Sequence, residues 1–278
     1  MSSFDPTEYK LNSRSNWNSI APQYHNNWAN SQVGPFGSTM ELVKAAQIKT
    51  GDKVLDIACG TGAVTKQAAT HLGNNGLLVG VDMSRTALSI AKQSLNSPTA
   101  VFVEMDAENM EFSVTFDRML CQYGLMFFPN VNKVLKSARK MLREGGKIAI
   151  AVHGTAEEVP YFSSIMKPIL KHIPDIRPKG APTVHRFGDS TVLTDELERA
   201  GFSSIEVKKR TFSYEAGTFD EYWLDYMHST ANSIRHRIEA KGCDVVDVVR
   251  KESEENVFPY LSGGSIIFPW TVLIATAS

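Results

Sequence analysis

From Lys53 onward, short β-branched apolar runs alternate with longer amphipathic stretches. That rhythm is the signature of strands and crossover helices stacking into a parallel sheet. The pattern predicts strands over Lys53–Ala58, Leu77–Asp82, Ala100–Met105, Phe116–Cys121 and Lys147–Val152, with helices over Thr61–Leu72, Arg85–Leu95 and Val131–Leu142. The last of these helices closes on Arg143-Glu144-Gly145-Gly146, which puts glycine where a helix stop needs it. Beyond the fifth strand the rhythm loosens. Glu157–Ile173 is helical in pattern despite Pro168, Pro174–Pro182 is proline-broken loop, and Thr194–Ala200 is a short helix ending at Gly201. Two late strands, Ser204–Tyr214 and Ser265–Thr276, flank helical stretches around Phe219–Ala240 and Val245–Glu255, which suits a hairpin-like sheet edge.

Composition narrows the class without changing that reading. With 278 residues, 42% hydrophobic and 21% charged, the chain suits one large α/β domain. Lys plus Arg (29) balance Asp plus Glu (30), so no overall field draws it to nucleic acid or to an anionic membrane. The densest basic run, Lys208-Lys209-Arg210, reads as a solvated strand edge. Three cysteines, Cys59, Cys121 and Cys243, are too few and scattered for a disulfide framework or a zinc ribbon, so no metal is expected and a reducing compartment is. Met1–Asn30 is polar with no apolar core, and no later run approaches bilayer length. The expected location is the cytoplasm, with no membrane span.

The most specific signal is Val54-Leu55-Asp56-Ile57-Ala58-Cys59-Gly60-Thr61-Gly62, an apolar strand running into a glycine-bounded turn at a helix start. Glycine there lets backbone lie directly against a ligand. A dinucleotide fingerprint needs a third glycine at position 65, where the chain has Thr65, so a pyrophosphate is disfavoured. Asp56, a carboxylate at the strand's end, suits a ligand carrying an ammonium group. Asp82 ends the second strand at the position where nucleoside-binding α/β folds place an acid for both ribose hydroxyls. Asp106 follows the third strand and can accept from an exocyclic adenine amine. Three carboxylates thus end three adjacent strands.

These segments, with Gly80–Ser84, Met105-Asp106-Ala107-Glu108, Phe116–Pro129 and Met141–Gly146, resemble the class I S-adenosylmethionine-dependent methyltransferases of the ubiquinone/menaquinone-biosynthesis type. The resemblance implies a Rossmann-like fold with a mostly parallel seven-stranded sheet, helices on both faces and a lid insertion at about 155–190. It divides the chain into an N-terminal helical lead (1–45) closing over the site and an α/β domain (46–278). It further implies that Gly60, Thr61 and Gly62 cradle the methionine part of S-adenosyl-L-methionine. Asp82 would bind the ribose, Met83 would lie against the adenine, and Asp106 and Ala107 would meet the adenine edge. Cys121 would offer its backbone carbonyl near the amino group, and Tyr24, in Trp17–Tyr24, would close over cofactor and substrate.

Methyl transfer is an in-line displacement in which holding nucleophile, methyl and sulfur roughly 3 Å apart supplies most of the rate. A base is needed only if the acceptor must lose a proton. His153, delivered by the fifth strand to the same edge as Asp56 and Asp82, is the best placed, ahead of His25 and His185. With Tyr24 it is the expected catalytic or substrate-contact residue. Tyr161, Phe162, Met166, Ile169 and Phe187 are candidates for an apolar pocket beneath the lid, with Trp223 and Tyr226 on one helical face beyond it, and ordinary core packing explains all of them equally well. An apolar pocket would favour a quinone, phenol or lipid-like small molecule. The rival readings are a non-catalytic cofactor-binding sensor or partner subunit, and an NAD(P)-dependent oxidoreductase. The missing third glycine and the absence of a Tyr-x-x-x-Lys pair argue against the second.

Overall fold

Five strands pair in parallel to form the centre of the sheet in the computed structural model, which describes residues 4–30, 34–95 and 97–278. The chain opens with α1 (Pro6–Tyr24) and α2 (Thr39–Ala46), then runs β1 (Lys53–Ile57), α3 (Ala63–Leu72), β2 (Leu77–Asp82), α4 (Arg85–Ser94), β3 (Ala100–Glu104), β4 (Phe116–Gln122), α5 (Val131–Met141) and β5 (Leu142–His153). Residues 1–3 and 31–33 of the expected N-terminal lead lie outside the described residues. Val54, Leu55, Leu78, Val81, Met119 and Leu120 are fully or nearly fully buried, which is why these strands read as continuous apolar runs rather than alternating ones.

The chain continues through α6 (Pro160–His172), α7 (Ser190–Arg199), β6 (Glu206–Gly217), α8 (Phe219–His228), α9 (Asn232–Glu239), α10 (Cys243–Val257), the two-residue β7 (Leu261–Ser262) and β8 (Ser265–Ala277). β8 inserts antiparallel between β5 and β6, giving the order β3-β2-β1-β4-β5-β8-β6. These seven strands are the expected sheet, and β7 pairs off the path as an eighth. Strand order reverses between β1 and β4, so their carboxyl ends diverge into the crevice where open α/β sheets hold ligands. Ala58 and Tyr123, just past those two strands, both take left-handed φ of 56°. A Cβ on Gly124 would sit 2.5 Å from that of Ala58, so only glycine allows the two strand ends to meet this closely.

Several boundaries differ from the pattern for local reasons. The helical stretch expected around Phe219–Ala240 is two helices, broken between His228 and Asn232. Residues 157–173 become helical only at Pro160, whose fixed φ suits a first turn. Pro168 survives inside α6 because the carbonyl its missing N–H leaves behind, that of Ser164, accepts from Asn256 Nδ2 of α10 at 3.0 Å. Within the stretch expected as a lid, Tyr161, Ile165, Ile169 and Phe187 are buried in the core. Phe162 and residues such as Ile176 and Val184 face the crevice. The basic run of β6 lies on the outermost strand, with Lys209 paired to Glu158 and Arg210 to Glu41. Among the described residues no helix is long and apolar enough to cross a membrane.

Candidate active site

The carboxyl ends of the central strands open into one cavity of about 600 Å³. β1 enters it through the turn Cys59-Gly60-Thr61-Gly62. Gly60 has φ of +54° and nothing within 4 Å of where a Cβ would stand, so its backbone faces open space, while its N–H donates to Asp82 Oδ2 at 2.9 Å. Asp82 Oδ1 accepts from the Ser84 N–H at 2.8 Å. Two backbone dipoles thus fix the carboxylate at the end of β2. Burial pushes its pKa up, and the N–H groups of Ser84, Gly60 and Met83 oppose that push.

Asp106 and Ala107 follow β3 on the same wall. Asp106 Oδ1 accepts from the Glu108 N–H at 3.0 Å, and Oδ2 accepts from Asn109 Nδ2 at 2.9 Å and from Lys10 Nζ at 2.8 Å. Lys10 belongs to α1 and also reaches Glu108 at 3.0 Å. Further along α1, Arg14 pairs with Glu104, and Asn18 Oδ1 accepts from Ser84 Oγ at 2.9 Å and from the Thr86 N–H at 3.1 Å. This helix therefore lies across the carboxylate-bearing half of the cavity.

The other half is aromatic. Tyr24 stands edge-on to Trp17 and Phe36 with centroids 5.3 and 5.6 Å away, and against Trp28 at 5.3 Å. Tyr123 stacks on the His153 ring at 4.2 Å, and Phe162 meets the other side of that ring at 4.9 Å. The Tyr123 hydroxyl donates to the Pro35 carbonyl at 2.6 Å, so it is fixed to the scaffold. Burial holds the Tyr24 hydroxyl well above its ordinary range, which leaves it neutral.

Comparison with known proteins shows what this arrangement is similar to. The family described as Methyltransferase domain matches residues 48–180. Over those residues the chain is similar to a methyltransferase domain. S-adenosyl-L-methionine, the cofactor expected from the motifs, is the methyl donor that goes with it. Demethylmenaquinone methyltransferase of Staphylococcus saprophyticus is 27% identical over 183 residues, covering 61% of this chain and 78% of that protein. The ubiquinone/menaquinone biosynthesis C-methyltransferase of Idiomarina loihiensis is 27% identical over 184 residues, covering 61% and 73%. Among solved structures, phosphoethanolamine N-methyltransferase 2 of Haemonchus contortus, in complex with phosphomonomethylethanolamine and S-adenosylhomocysteine, aligns with a TM-score of 0.60 at 16% identity. That alignment covers 99% of this chain and 60% of that one.

Of the residues expected to hold the methyltransferase cofactor, Gly60, Thr61, Asp82, Met83, Asp106 and Ala107 line the cavity together. Three others stand elsewhere. Gly62 caps α3 with φ of +88° and lies where a Cβ would come 3.0 Å from that of Ala91, so its bareness lets α3 pack on α4 rather than admitting a ligand. Cys121 is buried within β4 outside the wall, and its neighbours Gln122 and Tyr123 line the cavity instead. Asp56 lies beneath the turn. Its Oδ2 accepts from Thr65 Oγ1 at 2.6 Å, while Oδ1 is buried without a partner among the described residues. Burial raises its pKa to about 7, with Thr65 opposing and Asp82 adding to the rise. A buried acid with an unmatched oxygen under an open glycine turn, beside a fixed second carboxylate, fits a cationic nucleoside cofactor above it.

His153 lines the cavity but is not arranged as a base. The indole Nε1–H of Trp270, which can only donate, reaches its Nδ1 at 3.2 Å. Nδ1 is therefore the acceptor and the ring proton sits on Nε2. Burial, with His185 nearby, holds the pKa well below the ordinary 6.5. In this state the ring can only donate toward the cavity. His185 has the opposite tautomer, donating from Nδ1 to the Gly154 carbonyl at 2.8 Å and leaving Nε2 buried and unpartnered. It stands outside the wall. His25 bonds Thr61 Oγ1 at 3.0 Å and so ties the end of α1 to the glycine turn. Nitrogen-15 spectra of the histidine rings should show His153 as the neutral Nε2–H form from pH 6 to 8. A protonated ring, or a proton on Nδ1, would contradict this geometry.

Met166, Ile169, Tyr161, Phe187, Trp223 and Tyr226 do not line the cavity, and Phe162 alone of the expected apolar set does. Tyr161 and Tyr226 are instead fully buried core residues. Lys10, Arg14 and Asn18, which pin α1 over the site, are among the residues the sequence reading missed. They recur every four positions, on one helical face, and that spacing was the available signal.

Proposed function

We propose that this protein transfers the methyl group of S-adenosyl-L-methionine to a small ring-bearing acceptor of the phenol or quinol class, with α1 closing over both. The observation that carries the reading is the continuity of one cavity, bounded by the glycine turn after β1, carboxylate-lined at the ends of β2 and β3 and aromatic-walled beyond them. The cofactor supplies an electrophilic methyl on a sulfonium sulfur. Asp82 would hold its ribose, Gly60 and Thr61 would lie along its amino-acid part, and Met83, Asp106 and Ala107 would bound its adenine. Tyr24, Phe162 and Tyr123 would hold a flat ring and exclude water.

His153 Nε2–H would donate to an oxygen on that ring, favouring its anionic form and drawing the acceptor into register. Because neither His153 nor Tyr24 is set up to take a proton, the acceptor must bring its own acidity, which phenols and quinols do. The likeness to the demethylmenaquinone and ubiquinone/menaquinone methyltransferases supports a ring acceptor. The three free thiols fit a reducing compartment, and we place the protein in the cytoplasm.

Incubation with methyl-labelled cofactor and a panel of phenols, hydroquinones and amines tests the reading. Label should pass to the phenol or hydroquinone ring or its oxygen. Transfer to amines alone would overturn the acceptor class, and tight cofactor binding with no transfer to any acceptor would leave a binding protein.

A further inference from the structure

Among the described residues, two guanidinium groups line the cavity without a carboxylate partner. Arg177, in the loop after α6, and Arg237, on α9, line the same space as Tyr24 and His153. Arg237 donates to the carbonyls of Ile176 at 2.6 Å and Asp175 at 3.0 Å, which holds the loop next to Arg177. Arg177 itself is half-buried and, among the described residues, makes neither an ion pair nor a side-chain hydrogen bond. Tyr9 of α1 lies within electrostatic reach of Arg177 and of Arg186, both of which oppose the upward push of burial on its hydroxyl.

The other charges on these walls, the exposed Glu8 apart, are already matched. Lys10 is held by Asp106 and Glu108, Asp82 by two backbone N–H groups, and Asp5 by the N–H groups of Thr7 and Glu8 at the start of α1. Glu8 is exposed at the mouth and comes within ion-pair distance of neither arginine. A partly desolvated guanidinium with unmatched charge is unfavourable unless an anion completes it. Its planar fork of donors matches the two oxygens of a carboxylate. We propose that Arg177, with Arg237 beside it, seats a carboxylate on the acceptor, making the substrate an aromatic acid whose ring lies against Tyr24 and Phe162.

This inference rests on the ring-acceptor reading above. The test is calorimetric titration of 2-naphthoate and of 2-naphthamide, alike in shape and differing in charge, into the full chain saturated with S-adenosylhomocysteine. Naphthoate should bind roughly tenfold or more tightly, as expected for one charge-assisted hydrogen-bonded pair. Arg177→Gln should abolish that advantage, Arg237→Gln should reduce it, and added salt should erode it in the wild type. Naphthamide affinity in each variant reports whether the cavity is intact. Equal binding of the two probes by the wild type, or an advantage that persists in both variants, would overturn the carboxylate seat while leaving the ring acceptor standing. Failure of both probes to bind would remove the ring acceptor and the seat together.

Discussion

Asp82→Ala should bind S-adenosyl-L-methionine at least about a hundredfold more weakly than the wild type while remaining folded. Two losses combine in that figure. The carboxylate proposed to accept both ribose hydroxyls disappears, and each hydrogen bond to a charged group contributes about 1.5–3 kcal/mol. Two such bonds correspond to a hundredfold or more in Kd. The same carboxylate also holds the Gly60 and Ser84 N–H groups at 2.9 and 2.8 Å, so its removal frees the glycine turn that would lie along the cofactor. Calorimetric titration measures the change. Asp82→Asn should fall between the two, because the amide keeps one oxygen acceptor but turns a donor toward the other N–H. An Asp82→Ala affinity within about threefold of wild type would remove Asp82 from the cofactor site.

The second large effect is a pH-dependent loss of stability that traces to Asp56. Its carboxyl has a pKa of about 7 in the folded protein against an ordinary 3.8. Between those values the folded state keeps a proton that the unfolded chain has released, so stability falls as pH rises. The contribution is fully present below 3.8 and gone above about 7, on the order of 4 kcal/mol at about 1.4 kcal/mol per pH unit. Asp82, also raised, acts in the same direction. His153 and His185, both lowered, act in the opposite one, losing stability as pH falls below the ordinary imidazole value.

Urea unfolding of wild type and Asp56→Asn across pH 4 to 8 separates these. The difference between the two profiles should decline by a few kcal/mol from acid to neutral pH, because only Asp56 is absent from the variant. Parallel profiles would mean that Asp56 ionises in the folded state as an ordinary carboxyl does.

Much of the central sheet was legible because buried parallel strands permit few alternatives. Val54, Leu55, Leu78 and Val81 are buried and must be apolar, and the strand ends carry the glycine and the acids proposed to meet a ligand. The helical lead was harder to read. Its working face, Lys10, Arg14 and Asn18, is polar, and polar residues on a helix ordinarily face water. Nothing local says that Asp106, Glu104 and Ser84, some 66 to 96 positions away, would meet them. The break between α8 and α9 was equally silent, since apolar spacing runs on through it. The role of His153 depends on a partner 117 positions distant. Sequence placed the histidine at the right edge of the sheet, but its proton is assigned by Trp270, on a strand whose antiparallel neighbour could not be chosen from pattern alone.

The position of that last strand also bears on how the protein is made. β8 is the final strand of the sheet in chain order, yet it lies between β5 and β6 and supplies the indole that assigns the His153 proton. While a ribosome is still translating residues before 265, the five parallel strands can assemble, but β6 lacks the strand that joins it to the sheet and His153 lacks its indole donor. The newborn chain can therefore build the parallel strands and their glycine turn first and fix the His153 proton only after residues 265–277 have emerged, so a premature stop in this stretch would spare the first and forfeit the second.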